Sequence, residues 1–270
     1  MLESFKRMRT SYNARYVRIY GSCDKSMYTD QMIDTAWEAG VGVYPLIWFG
    51  YDGDDKWKTR RSNIVKAIKN NAKGPYVVRG VVVGSEPIFD GVLPPDGLAA
   101  QITSIQKELS PWTMRGDVGM QVTVSEMPYA YSVHGNAPSV FQAEDVIHAN
   151  ILPFFDRSAT TATASIKQVQ DGIKYLKQYG RGKKIIVAQT GWPSNQNVWK
   201  ANSGKAVASK SEQQAYFKML DDNACGVLLD APKGGVAWFS HVYTDYSLSG
   251  WGLLTSSFQS KFPFHPRTSC

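Results

Sequence analysis

The chain has 270 residues, of which 43% are apolar and 20% charged, and its formal net charge is +7. This length and apolar content provide for a large hydrophobic core and exclude a disordered chain, and no apolar run is long enough to span a bilayer. The basic residues are scattered and form no nucleic-acid-binding motif, so we expect neither a membrane span nor a nucleic-acid partner.

Short apolar runs alternate with helical patterns along the whole chain. In chain order, hydrophobic spacing predicts a helix over 1–10, a strand over 15–21, a helix over 28–39, a strand over 41–49, a helix over 54–71, a strand over 77–84, a helix over 96–109, strands over 117–125 and 146–155, a helix over 165–179, a strand over 184–189, a helix over 211–223 and a strand over 236–243. Such alternation is typical of parallel strands covered by helices.

Two folds fit this alternation, a doubly wound sheet and a (β/α)8 barrel, and the length of the chain favours the barrel. A doubly wound nucleotide-binding sheet should carry a glycine motif after its first strand, and none occurs. We therefore predict an α/β fold of the (β/α)8 TIM-barrel type in a single domain over 1–270. Seven strands are visible, so the first barrel strand is missing or atypical.

The cysteines and histidines give no sign of a metal site. Cys23, Cys225 and Cys270 are far apart, and none of the 4 histidines has the HExxH spacing. We therefore expect no metal and no cofactor. The odd number of cysteines allows one disulfide bridge or none. Residues 1–10 are charged and lack an apolar core, so we expect no secretory signal in this chain.

In a barrel, the chemistry is placed where strands end, and Glu86 follows the apolar run over 79–84 after one intervening residue, Ser85. A carboxyl in that position is partly desolvated, which raises its pKa and suits a general acid. The alternative is a glutamate that pairs with an arginine or caps the next helix.

Gln189 follows the run over 185–188 and precedes a Gly-Trp-Pro turn that contains Trp192. An amide can hydrogen-bond but cannot act as a nucleophile or base. The indole can stack on a sugar ring or close the loop as a plug, and the sequence leaves both interpretations open.

Aromatic residues make up 12% of the chain, and many lie near the predicted strand ends. A groove of aromatic and uncharged polar side chains fits a neutral polysaccharide, whereas the alternative is an aromatic-rich barrel core. The candidate substrate-binding residues are Tyr20, Trp48, Ser85, Glu126, Tyr129, Asn150, Phe154, Phe155, Trp192 and Trp238.

Two segments resemble the signature motifs of glycoside hydrolase family 17: VVVGSEPIF over 81–89 and VAQTGWPS over 187–194. The similarity is to the fungal cell-wall β-1,3-glucanosyltransferases and endo-β-1,3-glucanases of that family. Supporting matches are RIYG with its following cysteine over 18–23, ANILPFF over 149–155 and WGLLTSS over 251–257.

The resemblance implies a (β/α)8 barrel that cleaves β-1,3-glucan with retention of configuration and without a cofactor. It assigns Glu86 as the general acid and base, and it places Gln189 where the family has its nucleophilic glutamate. The implied partners are β-1,3-glucan oligo- and polysaccharides. The implied setting is secretion or the cell wall, and we expect a monomer.

This sequence departs from the family pattern at several positions. Gln189 replaces the nucleophile, which we interpret as an engineered change that leaves the substrate uncleaved; a natural inactive relative is the alternative. Ser85 lies where many members have asparagine, and Leu152 lies where plant members have tyrosine. The first family strand is not visible before the predicted helix over 1–10.

The resemblance also bears on the cysteines and on the reaction. A partner for Cys23 near the first strand is not visible, so the resemblance favours a disulfide between Cys225 and Cys270. Three activities stay open: glucan transfer, which the fungal resemblance favours, endo-β-1,3-glucan hydrolysis, and glucan binding without catalysis.

Overall fold

The computed structural model describes residues 1–21, 24–50, 55–114, 118–226, 228 and 237–267, with residues 113, 114 and 118 described by their backbone. The chain divides into two compact units. Unit one comprises residues 1–148 and 179–183, and unit two comprises 149–178 and 184–270. The expectation of a single domain over 1–270 stays a prediction.

Unit one consists of alternating helices and short strands. Its helices are α1 (Leu2–Tyr12), α2 (Tyr28–Ala39), α3 (Lys56–Asn70), α4 (Gly74–Val77), α5 (Pro95–Leu109), α6 (Pro128–Val133) and α7 (Pro138–Ala143). Its strands are β1 (Tyr16–Arg18), β2 (Gly42–Tyr44), β3 (Leu46–Ile47), β4 (Val81–Ser85), β5 (Thr113–Met114), β6 (Val118–Gly119), β7 (Val122–Glu126) and the first half of β8 (Ile147–Asn150).

The strands of unit one that matter for the site run parallel. Within this unit the strand order is β3-β4-β7-β8, and β1 pairs separately with β2. β4 pairs with β3 on one side and with β7 on the other, both in parallel. Parallel pairing brings the carboxyl ends of β4 and β7 to one edge, so Glu86 and Glu126 belong to neighbouring strand ends.

Unit two also contains strands and helices that alternate along the chain. Its helices are α8 (Ile166–Tyr179) and α9 (Lys210–Asn223), with 3-10 turns at Pro153–Phe155 and Thr163–Ser165. Its strands are the second half of β8, β9 (Ile185–Thr190), β10 (Ala237–Ser240), β11 (Val242–Thr244) and β12 (Gly252–Leu254). The order here is β8-β9-β10, with β9 and β10 parallel.

Local chemistry explains where these elements begin and end. The predicted helix over 28–39 matches α2, which buries Met32, Ile33 and Ala36 and ends at Gly40 in a left-handed conformation with φ of 70°. In α9, the hydroxyl of Ser209 accepts a hydrogen bond from the backbone N–H of Glu212, which is the usual cap of a helix start.

Several predicted strands are shorter than the apolar runs that suggested them. The run over 41–49 is divided into β2 and β3 at Pro45, because proline has no backbone N–H for the sheet. The run over 146–155 ends as a strand at Asn150 and continues into the turn Pro153–Phe155. The predicted strand over 117–125 is in fact β6, which pairs antiparallel with β5, followed by β7.

Cys225, just after α9, is disulfide-bonded. Cys23 and Cys270 lie outside the described residues, so the predicted pairing with Cys270 stays a prediction. The last described residue, Arg267, lies beside the end of α9: its backbone N–H donates to Asp221 across 2.7 Å. The chain three residues before Cys270 therefore runs near Cys225.

Candidate active site

Glu86 is held by its backbone at the carboxyl end of β4. Its φ of 59° lies in the left-handed region, which is uncommon for a residue with a side chain. Its N–H donates to the carbonyl oxygen of Ser125 on β7 across 2.7 Å. The register between β4 and β7 shifts between Val82 and Ser85, so the strand bends just before the glutamate. The side chain of Glu86 is half-buried.

A buried guanidinium lies beside this glutamate. Arg18, at the end of β1, donates from Nη2 to the hydroxyl of Ser85 across 3.2 Å, and its Cζ atom lies 4.3 Å from the centre of the Tyr20 ring. Burial lowers the pKa of Arg18, while Tyr20 and Glu86 raise it. Burial also raises the pKa of Tyr20. Two predicted substrate-binding residues, Tyr20 and Ser85, thus interact with the same guanidinium as Glu86 does.

Glu126, at the end of β7, is fully buried and joins two loops. Its Oε2 atom accepts hydrogen bonds from the N–H groups of Ile88 and Phe89, at 2.8 and 3.3 Å, and its Oε1 atom accepts from Met127 at 2.8 Å. Burial raises the pKa of Glu126 to about 7, and the charge of Glu86 adds to the rise; the three N–H donors oppose it.

The remaining predicted residues of unit one have different surroundings. Tyr129 is exposed and lies against Phe89, with ring centres 6.4 Å apart. Trp48 lies under the guanidinium of Arg60, 5.4 Å from the ring centre, and its carbonyl oxygen accepts from Arg60 across 3.0 Å. Arg60 also pairs with Asp24 at 2.7 Å, so Trp48 belongs to a structural ion-pair cluster.

His148 on β8 was not predicted from the sequence as a site residue. It is fully buried, and its ring lies edge-on to Tyr44 with centres 5.0 Å apart. Neither ring nitrogen has a hydrogen-bond partner among the described residues. Burial lowers the pKa of His148 to about 3, and the charge of Arg18 adds to the decrease. No motif marks this histidine; only its position inside an apolar run hinted at burial.

In unit two, Gln189 lies next to the end of β9 and is 2% exposed. Its backbone carbonyl oxygen accepts a hydrogen bond from the backbone N–H of Ile151 across 2.9 Å, which connects Gln189 to the segment after Asn150. Asn150 is the last residue of β8 and is buried. Thr190, the residue after Gln189, shares a hydrogen bond between its hydroxyl and that of Tyr216.

The Gly-Trp-Pro turn packs inward. Trp192 and Phe154 are each 0% exposed, and their ring centres lie 5.2 Å apart. The indole N–H of Trp192 donates to the carbonyl oxygen of Val207 across 2.8 Å. This packing matches the plug alternative, because neither ring has an exposed face for a sugar.

Phe155 and Trp238 are half-buried and belong to two different aromatic groups. The Phe155 ring lies 6.0 Å from Trp199 and 5.7 Å from Trp251, measured between ring centres. Trp238 instead packs 6.0 Å from Phe217 of α9. Of the predicted aromatic residues in this unit, Phe155 and Trp238 are therefore those with accessible ring surface.

Lys261 was also missed by the sequence reasoning. Its ammonium group is nearly buried, and it donates to Asp245 and to the hydroxyl of Ser194, each across 2.8 Å. Burial lowers the pKa of Lys261, while Asp245 raises it. The lysine thus secures the segment after the Gly-Trp-Pro turn; a lone lysine near the end of a sequence carries no signal of this role.

No cluster of three or more histidine, cysteine, aspartate or glutamate side chains suited to a metal ion occurs in the part of the chain that the structure describes. Among the same residues, no helix is both long and apolar enough to cross a bilayer.

The family model of the BtgE/BtgC glycoside hydrolase domain matches residues 2–243 of this chain. The match covers most of the sequence, including both segments that carry Glu86 and Gln189. The chain belongs to the BtgE/BtgC glycoside hydrolase domain family, which confirms the predicted relationship to glycoside hydrolases.

Curated relatives are fungal. A probable beta-glucosidase btgE of Emericella nidulans is 30% identical over 207 residues, which cover 76% of this chain and 34% of that protein. A probable glucan endo-1,3-beta-glucosidase btgC of Aspergillus fumigatus is 25% identical over 183 residues, which cover 66% of this chain and 25% of that protein. The chain thus spans about a third or less of the length of these relatives.

A solved structure shows the fold. The glycoside hydrolase family 17 beta-1,3-glucanosyltransferase of Rhizomucor miehei superposes with a TM-score of 0.75 at 19% identity, covering 100% of this chain and 92% of the other. This likeness confirms the (β/α)8 TIM-barrel class predicted from the sequence.

Proposed function

We propose that this chain is the carbohydrate-active domain of a retaining β-1,3-glucan glucanosyltransferase, with Glu86 as general acid and base and Gln189 in the position of the nucleophile. The observation that carries the proposal is the placement of Glu86 after β4, half-buried and fixed by the hydrogen bond from its N–H to Ser125. Membership of a glycoside hydrolase family supplies the class of reaction.

The substrate class follows from the relatives and from the surroundings of Glu86. One relative carries the name glucan endo-1,3-beta-glucosidase, and the Rhizomucor miehei structure carries the name beta-1,3-glucanosyltransferase. Exposed aromatic rings at Phe89 and Tyr129 suit a neutral sugar. We therefore propose β-1,3-linked glucose oligo- and polysaccharides as the substrate, with no cofactor.

The reaction requires a carboxylate at position 189. That carboxylate attacks the anomeric carbon while Glu86 gives its proton to the leaving oxygen, so one carbon–oxygen bond forms as the glycosidic bond breaks. Glu86 then removes the proton from a hydroxyl group of a second glucan, and the hydroxyl oxygen displaces the carboxylate. The second step joins two chains, and water in place of the second glucan gives hydrolysis.

The amide of Gln189 cannot perform the attack, because its nitrogen lone pair is delocalised and it carries no negative charge. Glutamine and glutamate have almost the same shape, so the exchange removes the charge of the side chain and hardly alters its volume. We propose that the chain as it stands binds β-1,3-glucan and leaves it intact.

The test is the variant Gln189→Glu, assayed with laminarin oligosaccharides. We expect turnover to rise by several orders of magnitude, as for the return of a covalent nucleophile. Gln178→Glu, at an exposed glutamine on α8, makes the same chemical change elsewhere and should leave the chain inactive. If Gln189→Glu binds the oligosaccharides and shows no gain of turnover, the second candidate function is favoured, which is a non-catalytic glucan-binding domain. The observation behind this candidate is the amide at position 189, which cannot act as a nucleophile.

The cellular setting and the assembly are part of the same proposal. We propose secretion or the cell wall as the location, because Cys225 is disulfide-bonded and such bonds persist in oxidising compartments. We propose a monomer, and size-exclusion chromatography coupled to light scattering tests this directly.

A further inference from the structure

Two exposed aromatic rings lie on the segments that follow the adjacent strands β4 and β7, and Phe89 comes three residues after Glu86. Phe89 is 50% and Tyr129 63% exposed, and their ring centres are 6.4 Å apart at an interplanar angle of 69°. Single exposed apolar residues are ordinary, but two rings in mutual contact at the carboxyl ends of neighbouring strands form a continuous apolar surface. We call this pair the Phe89–Tyr129 platform.

Hydrogen bonds of Glu126 connect the platform to the segment that carries Glu86. One carboxylate oxygen of Glu126 accepts from the N–H of Phe89, and the other accepts from the N–H of Met127, two residues before Tyr129. The N–H of Glu86 is fixed in turn to Ser125, the neighbour of Glu126. Because Glu126 is fully buried, these hydrogen bonds are shielded from water, and both loops keep one relative geometry.

The chemistry of a general acid indicates which sugar lies nearest. The acid protonates the oxygen of the leaving chain, and in transfer the acceptor hydroxyl returns to the same place. A ring pair fixed to the loop of the acid therefore lies beside the leaving chain or the acceptor. The faces of aromatic rings match the C–H faces of a glucose ring and carry no charge that would require desolvation.

We propose that the Phe89–Tyr129 platform is the acceptor subsite for a β-1,3-linked glucosyl unit, and that Glu126 is the positioning residue that holds this platform against the loop of Glu86. The inference rests on the proposed function, since it assigns a sugar to one side of the same site. It makes the platform a determinant of transfer against hydrolysis, because a bound acceptor sugar excludes water from the anomeric carbon.

The first experiment measures binding with the chain as it stands. Laminaritriose is titrated into the parent protein and into Phe89→Ala, Tyr129→Ala and Tyr246→Ala, with calorimetry or NMR as the readout. We expect the first two variants to weaken binding about threefold to tenfold. Tyr246 is 79% exposed and lies outside the platform, so its variant should bind like the parent. Unchanged binding in both platform variants overturns the inference.

A failure of the proposed function looks different in the same titration. If the parent binds no laminaritriose at all, the assignment of β-1,3-glucan is wrong, and the platform falls with it. If the parent binds and only the platform variants are indifferent, the function stands and the subsite is wrong.

The second experiment addresses Glu126. In Glu126→Gln, an NH2 group replaces one of the two carboxylate oxygens. This group is a donor and cannot accept a hydrogen bond from a backbone N–H, so either the segment of Phe89 or that of Met127 loses its hydrogen bond to residue 126. We expect weaker laminaritriose binding, and in the Gln189→Glu background a lower ratio of transfer to hydrolysis. Glu144→Gln alters another buried glutamate of unit one and should change neither readout. Parent-like values in folded Glu126→Gln overturn the positioning role; if that variant does not fold, Tyr129→Ala decides the transfer ratio.

Discussion

The guanidinium of Arg18 donates a hydrogen bond to the hydroxyl of Ser85 across 3.2 Å. Ser85 directly precedes Glu86, so the buried cation of Arg18 contacts the neighbour of this glutamate. An arginine keeps its charge even when buried. A nearby positive charge favours the ionised form of a carboxyl group. Arg18 therefore favours the ionised form of Glu86, the residue that we propose as the acid.

Arg18→Met in the Gln189→Glu background should move the alkaline limb of the activity profile to higher pH. Without the cation, the proton stays on Glu86 at pH values where it is otherwise lost. The measurement is kcat/KM for laminarin as a function of pH. Arg61→Met removes an equal charge from the pair with Glu108 and should leave the profile in place. An alkaline limb that does not move in Arg18→Met would contradict the influence of this cation.

Glu144→Gln should stabilise the protein increasingly as the pH rises. Burial raises the pKa of Glu144 from 4.5 to about 8, so the folded state holds a proton that the unfolded state has already released. Stability is therefore lost between about pH 4.5 and pH 8, with a slope of up to about 1.4 kcal/mol per pH unit. Chemical denaturation at several pH values measures this loss, and the glutamine variant should not show it.

The exposed Glu3 supplies the control for this experiment, since Glu3→Gln makes the same change on the surface of α1. Its stability should follow that of the parent at every pH. Parallel stability curves for the parent and Glu144→Gln would show that Glu144 is ionised in the folded protein.

His148→Phe should reduce the sensitivity of the protein to acid. Burial lowers the pKa of His148 from 6.5 to about 3, so the unfolded state takes up a proton first as the pH falls. The parent therefore loses stability below about pH 6.5 through this residue, and phenylalanine removes the effect while retaining a ring against Tyr44. Thermal midpoints between pH 4 and pH 7 test the prediction. His134 is exposed, and a midpoint for His134→Phe that changes as much as that of His148→Phe would refute it.

Lys261→Met should destabilise the protein by about 3 kcal/mol, because it leaves the partners of a nearly buried ammonium group without their donor. The contrasting variant is Lys218→Met, which breaks an exposed pair with Asp222 on α9. That pair should contribute at most about 0.5 kcal/mol. Urea denaturation of both variants measures the difference, and equal losses would mean that the lysine has no special role near Ser194.

The sequence predicts long, periodic elements well and short ones poorly. The helix over 28–39 has five buried residues and a glycine at its end, and both signals are local. Helices α6 and α7 have six residues each and begin at prolines, so neither shows a period that a pattern could reveal. The hairpin of β5 and β6 has strands of two residues and is equally invisible.

The same distinction holds for the site. Glu86 and Gln189 stand out because they follow apolar runs and lie in family motifs. The hydrogen bonds of Glu126 to Ile88 and Phe89 depend on how two loops meet, and no spacing along the chain encodes that meeting. The burial of Trp192 could not be predicted either. A tryptophan after a strand can be exposed and stack on a sugar or be buried in the core, and only its three-dimensional neighbours determine which.

The left-handed backbone conformation of Glu86 means that selection for stability and selection for activity favour different residues at this position. Glycine adopts this conformation without the steric cost that a side chain carries, about 1 kcal/mol. Laboratory evolution for heat resistance alone would therefore drift toward glycine at this position and discard the residue that we assign as the acid. Directed evolution of a more heat-resistant enzyme should therefore keep Glu86 unchanged and select stabilising substitutions at other positions.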